Sequence, residues 1–242
     1  MDETHRFLRY VMPGASFSIE ALFLLLLLLP GWTMTRLGEL AKAGLGGALV
    51  AFLGLGGLGF LFSIVHHLFR ECRVLGGVDN GPVIARLRAQ NILELLHAGT
   101  GDPVPDADRP DRHQAWVIVN ALWHQRDSVN PRIKGANPRA QTLADLVHSI
   151  GTAQWGALFA SFVPFVVAGF VAEQSSETND ILRFIAVVVL AAGFVCMHHL
   201  AYRRTSRTAE EMIAEILEDT LTASFLESGV PLRTYVALRG PG

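Results

Sequence analysis

Residues 11–32 read VMPGASFSIEALFLLLLLLPGW, and residues 24–29 within them are leucine without exception. A hydrocarbon core about 30 Å thick is crossed by roughly 20 apolar helical residues. This stretch supplies them with a single ionisable interruption, Glu20, before Pro30 and Gly31 close the run. The residues ahead of it lack the net positive start and the small-residue cleavage site of a signal peptide, so the stretch reads as a retained span. Three further apolar stretches reach spanning length, at 43–65, 153–172 and 181–200.

Composition agrees. Of 242 residues, 50 % are hydrophobic and only 17 % charged, where soluble domains carry roughly 25 % charged residues. Mean hydropathy is +0.34. A net charge of −2 gives no basic signature for nucleic acid. Cys72 and Cys196 stand far apart and outside any CxxC pair, which argues against a structural disulfide or a cysteine zinc site.

Lys and Arg placement orients the spans. Arg6 and Arg9 precede the first, Arg70 and Arg73 follow the second, Lys134 and Arg139 precede the third, and Arg203, Arg204 and Arg207 follow the fourth. The opposite loops hold only Arg36, Lys42 and Arg183, and one of them is acidic through Glu173, Glu177 and Asp180. The expected fold is therefore all-α: a polytopic protein of the cell membrane with four transmembrane helices in two in-out-in hairpins and a small helical cytoplasmic domain. Its segments are a cytoplasmic tail (1–10), hairpin one (11–65), a cytoplasmic segment (66–152), hairpin two (153–200) and a cytoplasmic C-terminal helix and tail (201–242).

Within the cytoplasmic segment, 70–81 reads as a linker containing glycine. A helix is expected from Pro82 through Ile92, Leu95 and Leu96 to near Gly99. The loop that follows carries Asp102, Asp106, Asp108 and Asp111, without the glycine and closing glutamate of a calcium loop. A second helix spans 113–126, residues 128–138 form a basic turn-rich loop, and a third helix starts at Arg139 and runs on into span three, where Pro164 should bend it. Beyond span four, Thr208 and Glu211 match a capping box. An apolar stripe of Ile213, Ile216, Leu217, Leu221 and Phe225 follows, suited to the protein's own cytoplasmic core or to a coil between subunits. Span two ends IVHHLFRECR and span four CMHHLAYRR, a faint sign of two related hairpins.

Four groups of residues invite a functional reading. Glu20 lies near the middle of span one with Ser16 on the same face. An ionisable group at that depth costs about 3 kcal/mol and faces a bundle interior, a cavity or a partner. The pair suits a pore or gate, or a neutral carboxyl that only fixes packing. Gly46, Gly47, Gly54 and Gly57 fall within an arc of about 100° on span two and form a groove for close helix packing. Asn120, His124, Arg132, Lys134, Arg139, Asp145 and His148 are candidates for a polar pocket that takes an anionic ligand, or in which His and Asp bind a metal. His66-His67 and His198-His199 end two spans, as interfacial anchors or, one from each, as a shared metal or pH site.

No Walker loop, HExxH or GxSxG motif is present. The layout is similar to that of small membrane effectors of bacterial antiviral systems, an analogy of architecture that rests on no single residue. The expected function is an oligomeric membrane channel or membrane-perturbing effector controlled by its cytoplasmic domain, with the lipid bilayer and further copies of the chain as partners. The alternatives are an enzyme acting on a phosphate-bearing substrate and a regulator that docks a cytosolic protein. In a background with both native cysteines replaced, a cysteine at Ser175 should react with an impermeant reagent on intact cells. One at Ala107 should react only after permeabilisation, and the reverse pattern would overturn the orientation.

Overall fold

The computed structural model describes residues 7–69, 80–105, 110–127, 129–171 and 181–236. Outside them lie most of the expected linker at 70–81 together with Arg6, Arg70, Cys72 and Arg73, the aspartates Asp106 and Asp108, and the acidic loop with Glu173, Glu177 and Asp180. The chain is predominantly helical. After a π-helical turn, Phe7–Val11, come α1 (Met12–Leu28), α2 (Pro30–Lys42), α3 (Gly44–Phe69), α4 (Gly81–Ala89), β1 (Leu93–His97), α5 (Arg112–Asp127), α6 (Pro131–Val171), α7 (Ile181–Ser228) and β2 (Leu232–Val236). Three helical stretches are long and apolar enough to cross a membrane, Arg9–Leu28, Pro131–Val171 and Ile181–Ser228; α3 contributes the shorter apolar stretch Leu53–Phe69.

The chain divides into two compact units. The first holds residues 1–70 and 145–205, the second 71–144 and 206–242. Two helices belong to both. The helix expected from Arg139 begins eight residues earlier, at Pro131, because Pro131 sits at the favoured first position and the Asn130 side chain caps the turn. Its Oδ1 accepts from the backbone N–H groups of Arg132 (2.9 Å) and Ile133 (3.2 Å). That is a correction to the basic loop expected at 128–138. The capping box expected at Thr208 is also corrected, since α7 passes through it unbroken and Glu211 accepts instead from Arg207 Nε at 2.7 Å.

In the first unit, close packing runs between the start of the chain and α3. A Cβ at Gly59 would lie 1.7 Å from the Tyr10 carbonyl oxygen, and one at Gly14 would lie 1.9 Å from that of Leu55, so only glycine fits either site. The groove expected at Gly46, Gly47, Gly54 and Gly57 does not serve this contact. Among the described residues nothing lies within 4 Å of a Cβ placed at Gly46, Gly54 or Gly57, and Gly47 meets only Ala43 and Leu40 just ahead of it. Phe17, Phe62 and Phe159 extend the packing to α6, with ring centroids 5.0 and 5.6 Å apart. Leu24, Leu28, Leu29, Val171, Val187 and Ala191 form a separate apolar cluster.

The second unit departs from the all-α expectation. The helix expected to run to Gly99 stops at Ala89 because Asn91 adopts the left-handed conformation (φ 54°), which asparagine tolerates better than most residues. The N–H of Ile92 then returns to the Leu87 carbonyl (2.9 Å) and that of Asn91 to Arg88 (2.8 Å), a Schellman closure. The freed ILELLH segment becomes β1, which pairs in parallel with β2 from Leu93↔Leu232 to His97↔Val236. Asp111 is the N-cap of α5, exchanging hydrogen bonds with Gln114 in a reciprocal box (2.8 and 2.9 Å). Ile84, Leu87, Leu95, Leu122 and Ile133 make one core with Leu217 and Leu221, against which Ile213, Ile216 and Phe225 also pack.

Gly59→Val should lower the thermal stability of the detergent-purified protein by about 2 kcal/mol or more, the range of overpacking. Gly54→Val should leave it unchanged. Equal losses for the two would show that the close approach lies elsewhere.

Candidate functional site

Polar side chains buried between apolar helices need partners, since an unmatched one costs several times what a hydrogen bond returns. The first unit buries an unusual number of them: Glu20 on α1, Ser63 and His66 on α3, and Asp145, His148, Ser149, Thr152 and Gln154 on α6. Asp145, His148, Ser149 and Thr152 recur at three- and four-residue spacing and share one face of α6, while Gln154 lies on the opposite side; beyond Thr152 the small residues Ala153, Ala157 and Ala160 are buried.

Glu20 is 7 % exposed. Its Oε1 accepts from Ser16 Oγ at 2.8 Å and lies 2.6 Å from His198 Nε2, while Oε2 is buried and makes no hydrogen bond among the described residues. A carboxyl and an imidazole in contact satisfy each other's hydrogen bonding, which is how two ionisable groups are tolerated in an apolar setting. Ser16, Glu20 and a histidine invite comparison with a hydrolytic triad. The geometry excludes it, because Ser16 Oγ (3.5 Å) and Glu20 Oε1 both meet the same ring nitrogen. A triad needs the carboxylate on one nitrogen and the serine on the other, and here Ser16 spends its hydrogen on Glu20.

A second polar group surrounds His148. Its Nε2 lies 2.9 Å from Ser63 Oγ, and its ring centroid is 5.3 Å from that of His66 and 4.8 Å from that of His67. The His66 ring also meets the Tyr202 ring edge-on at 5.6 Å. Gly151 makes the seat for His66: a Cβ there would lie 2.3 Å from its Cε1. Gln154 Nε2 lies 3.3 Å from His199 Nδ1. Asp145, whose side chain is 4 % exposed, is ion-paired with Arg9.

The residues expected to share one anion pocket are divided by the two units. Asp145 and His148 belong to the first and are committed to Arg9, Ser63 and the neighbouring histidines. Arg132, in the second, pairs with Asp219 at 2.9 Å, Asn120 Nδ2 donates to the Trp116 carbonyl of its own helix, and His124, Lys134 and Arg139 are exposed. The second unit does hold an open cleft of about 650 Å³, lined by Arg86, Arg207, Glu210, Glu211, Glu215, Glu218 and Asp219 among others. Both arginines are already paired there, Arg86 with Glu218 (3.0 Å) and Arg207 with Glu211 (2.7 Å). The hydrogen bonds Arg86 donates to Glu218 raise its guanidinium above its ordinary value, with burial opposing. The lining is acidic on balance, contrary to an anion site.

Among the described residues no group of three or more His, Cys, Asp or Glu side chains is placed to hold a metal ion. The histidine pairs do not converge on one site; His66 faces His148 and Tyr202, and His198 faces Glu20. Sequence reasoning missed both His198 as the partner of Glu20 and Arg9 as the partner of Asp145. The available signal was that each buried acid requires a nearby base, and these were the basic groups on the neighbouring spans. No protein-family model, curated protein or solved structure matches the chain.

Arg9→Gln leaves the Asp145 carboxylate buried without its ion pair. It should cost about 2–3 kcal/mol of stability, less than a fully buried pair because Arg9 is itself 32 % exposed. Asp145→Asn in the same chain should restore most of the loss. Additive losses in this cycle would show that the two residues do not act as a pair.

Proposed function

We propose that the protein is an oligomeric membrane channel or membrane-perturbing effector, closed in the form described, whose conduction depends on Glu20 and is controlled through the second unit. In this reading α1, α3 and the apolar parts of α6 and α7 are four spans. Both termini and the second unit lie in the cytoplasm, following the distribution of Lys and Arg. The 26 residues of α3 extend about 39 Å, enough for the fourth crossing.

The observation that carries the proposal is the buried Glu20–His198–Ser16 group within otherwise apolar helices. A structural role would be met by a neutral amide or hydroxyl at lower cost. A carboxyl–imidazole pair adds a group whose charge can change, and such groups in spans mark ion or proton pathways. An apolar cluster of Leu24, Leu28 and Leu29, beyond Glu20 in the chain, with Val187 and Ala191 of α7 would serve as the hydrophobic gate of the closed form. Control from the second unit has a mechanical basis. Both α6 and α7 run without interruption from that unit's core residues, Ile133 and Leu217, to residues of the apolar cluster, Val171 and Val187.

Glu20→Gln keeps shape and hydrogen bonding but removes the titratable group. Planar-bilayer currents and the size of the detergent-solubilised protein should be compared with wild type. The proposal expects altered current with unchanged assembly. Identical currents would overturn the dependence on Glu20, and absence of current from both proteins would overturn the channel itself.

A further inference from the structure

The conducted species is open to argument from what lies between the polar residues of the first unit. Hydrated ions need a lumen, and this interior is filled: Thr152 is fully buried, Tyr202 is 2 % exposed, and Ser63 and His66 are each 4 % exposed. A proton needs no lumen, only a chain of groups that can each accept one hydrogen while releasing another.

Groups of that kind follow one another through the first unit, and we propose that they carry protons between its Arg9–Asp145 end and the Glu20–His198 pair. The proposal rests on the channel reading above and assigns its conducted species. Asp145 and His148 are three residues apart, on one face of α6. The His148 ring lies 5.3 Å from that of His66, which lies 5.6 Å from Tyr202. Tyr202 and His198 are four residues apart on α7, again on one face, and His198 Nε2 is 2.6 Å from Glu20 Oε1. Ring spacings of this size are closed by rotation of a ring between side-chain rotamers, which needs no added volume for water. At each imidazole a proton binds one nitrogen and the hydrogen on the other nitrogen leaves, so the ring returns to neutral. The Tyr202 hydroxyl accepts on oxygen and gives up its own hydrogen. One proton is transferred overall and no electrons move.

Several other groups face this chain. They are Arg9, the Ser63 hydroxyl and His67 beside His148, Gln154 with His199 beside the α7 segment, and Ser16 at Glu20. Arg9 is the only permanently charged one in that set. Its pairing with Asp145 removes an uncompensated positive charge from the entrance, where it would repel protons. Beyond Glu20 the apolar cluster interrupts the chain, so the described form is a half-path, open to protons from one end only.

The test uses the full chain in vesicles with an entrapped pH-sensitive dye, driven by a potassium gradient and valinomycin, with potassium and sodium leak recorded separately. Wild type and Leu28→Ala, which thins the apolar cluster, are both measured. Proton flux is expected in at least the second, selective over both metal cations. In that background Tyr202→Phe, which removes only a hydroxyl, and His148→Gln should each slow it by roughly tenfold or more. His124→Gln in the second unit should not. Metal-cation current without proton flux would overturn the relay and leave the channel standing, as would proton flux indifferent to Tyr202→Phe and His148→Gln in protein that retains its thermal stability. Absence of every flux would overturn both.

Discussion

A carboxyl group in an apolar helix bundle is tolerated only with a partner, and the hydrogen bond between Glu20 and His198 supplies that partner by tying α1 to α7. Gly59 and Gly14 fix α1 and the turn before it against α3 by backbone approach, and Gly151 seats the His66 ring between α3 and α6. Lipid offers helices no hydrophobic drive to associate, so such glycine contacts and buried polar contacts must hold them together. The polar ones are concentrated where the interior is most protected, which makes their protonation state a structural variable as well as a chemical one.

The interior is graded along α6 and α7. Asp145, His148, Thr152 and Gln154 are buried at one end of the apolar part of α6, and Val171 packs with Leu24, Leu28 and Leu29 at the other. A bundle that only needed stability would gain by replacing the polar end with well-packed apolar residues, since buried ion pairs and polar networks rarely repay their desolvation. Glu20, Asp145, His66 and His148 nevertheless occupy buried positions, where an apolar residue would be the cheaper choice. The second unit shows the opposite economy. Its ion pairs, Arg132–Asp219 and Arg233–Glu94, are exposed and weakly stabilising, while Leu87, Leu122 and Leu217 supply the core.

Much of this was legible in the sequence. The apolar runs expected at 11–32, 153–172 and 181–200 overlap helices long enough to cross a membrane, the first ending at Leu28 rather than Trp32, and the periodicity of α5 located it to within a residue at each end. Boundaries failed where a backbone device overrode periodicity. The left-handed Asn91 turned an apparent helix into β1, whose parallel partner lies some 140 residues away and gives no local signal. Asn130 and Pro131 began a helix inside what composition marks as a loop. The glycine groove was located on a face other than the one that packs within the chain. Angular grouping says which glycines share a face but not which face meets a neighbour, and the contact glycine on α3 was Gly59. Partnerships such as Glu20 with His198 are tertiary, and only the requirement for some partner could be read from Glu20 alone.

Glu20 and His198 are hydrogen-bonded to one another inside the bundle. Infrared difference spectra of the lipid-reconstituted protein, recorded as pH is changed, read the carbonyl stretch of a protonated buried carboxyl directly. A band that disappears in Glu20→Gln and shifts in frequency and pH dependence in His198→Gln is the predicted result. A Glu20 band that His198→Gln leaves unmoved would contradict the account, because the two groups would then not be in contact.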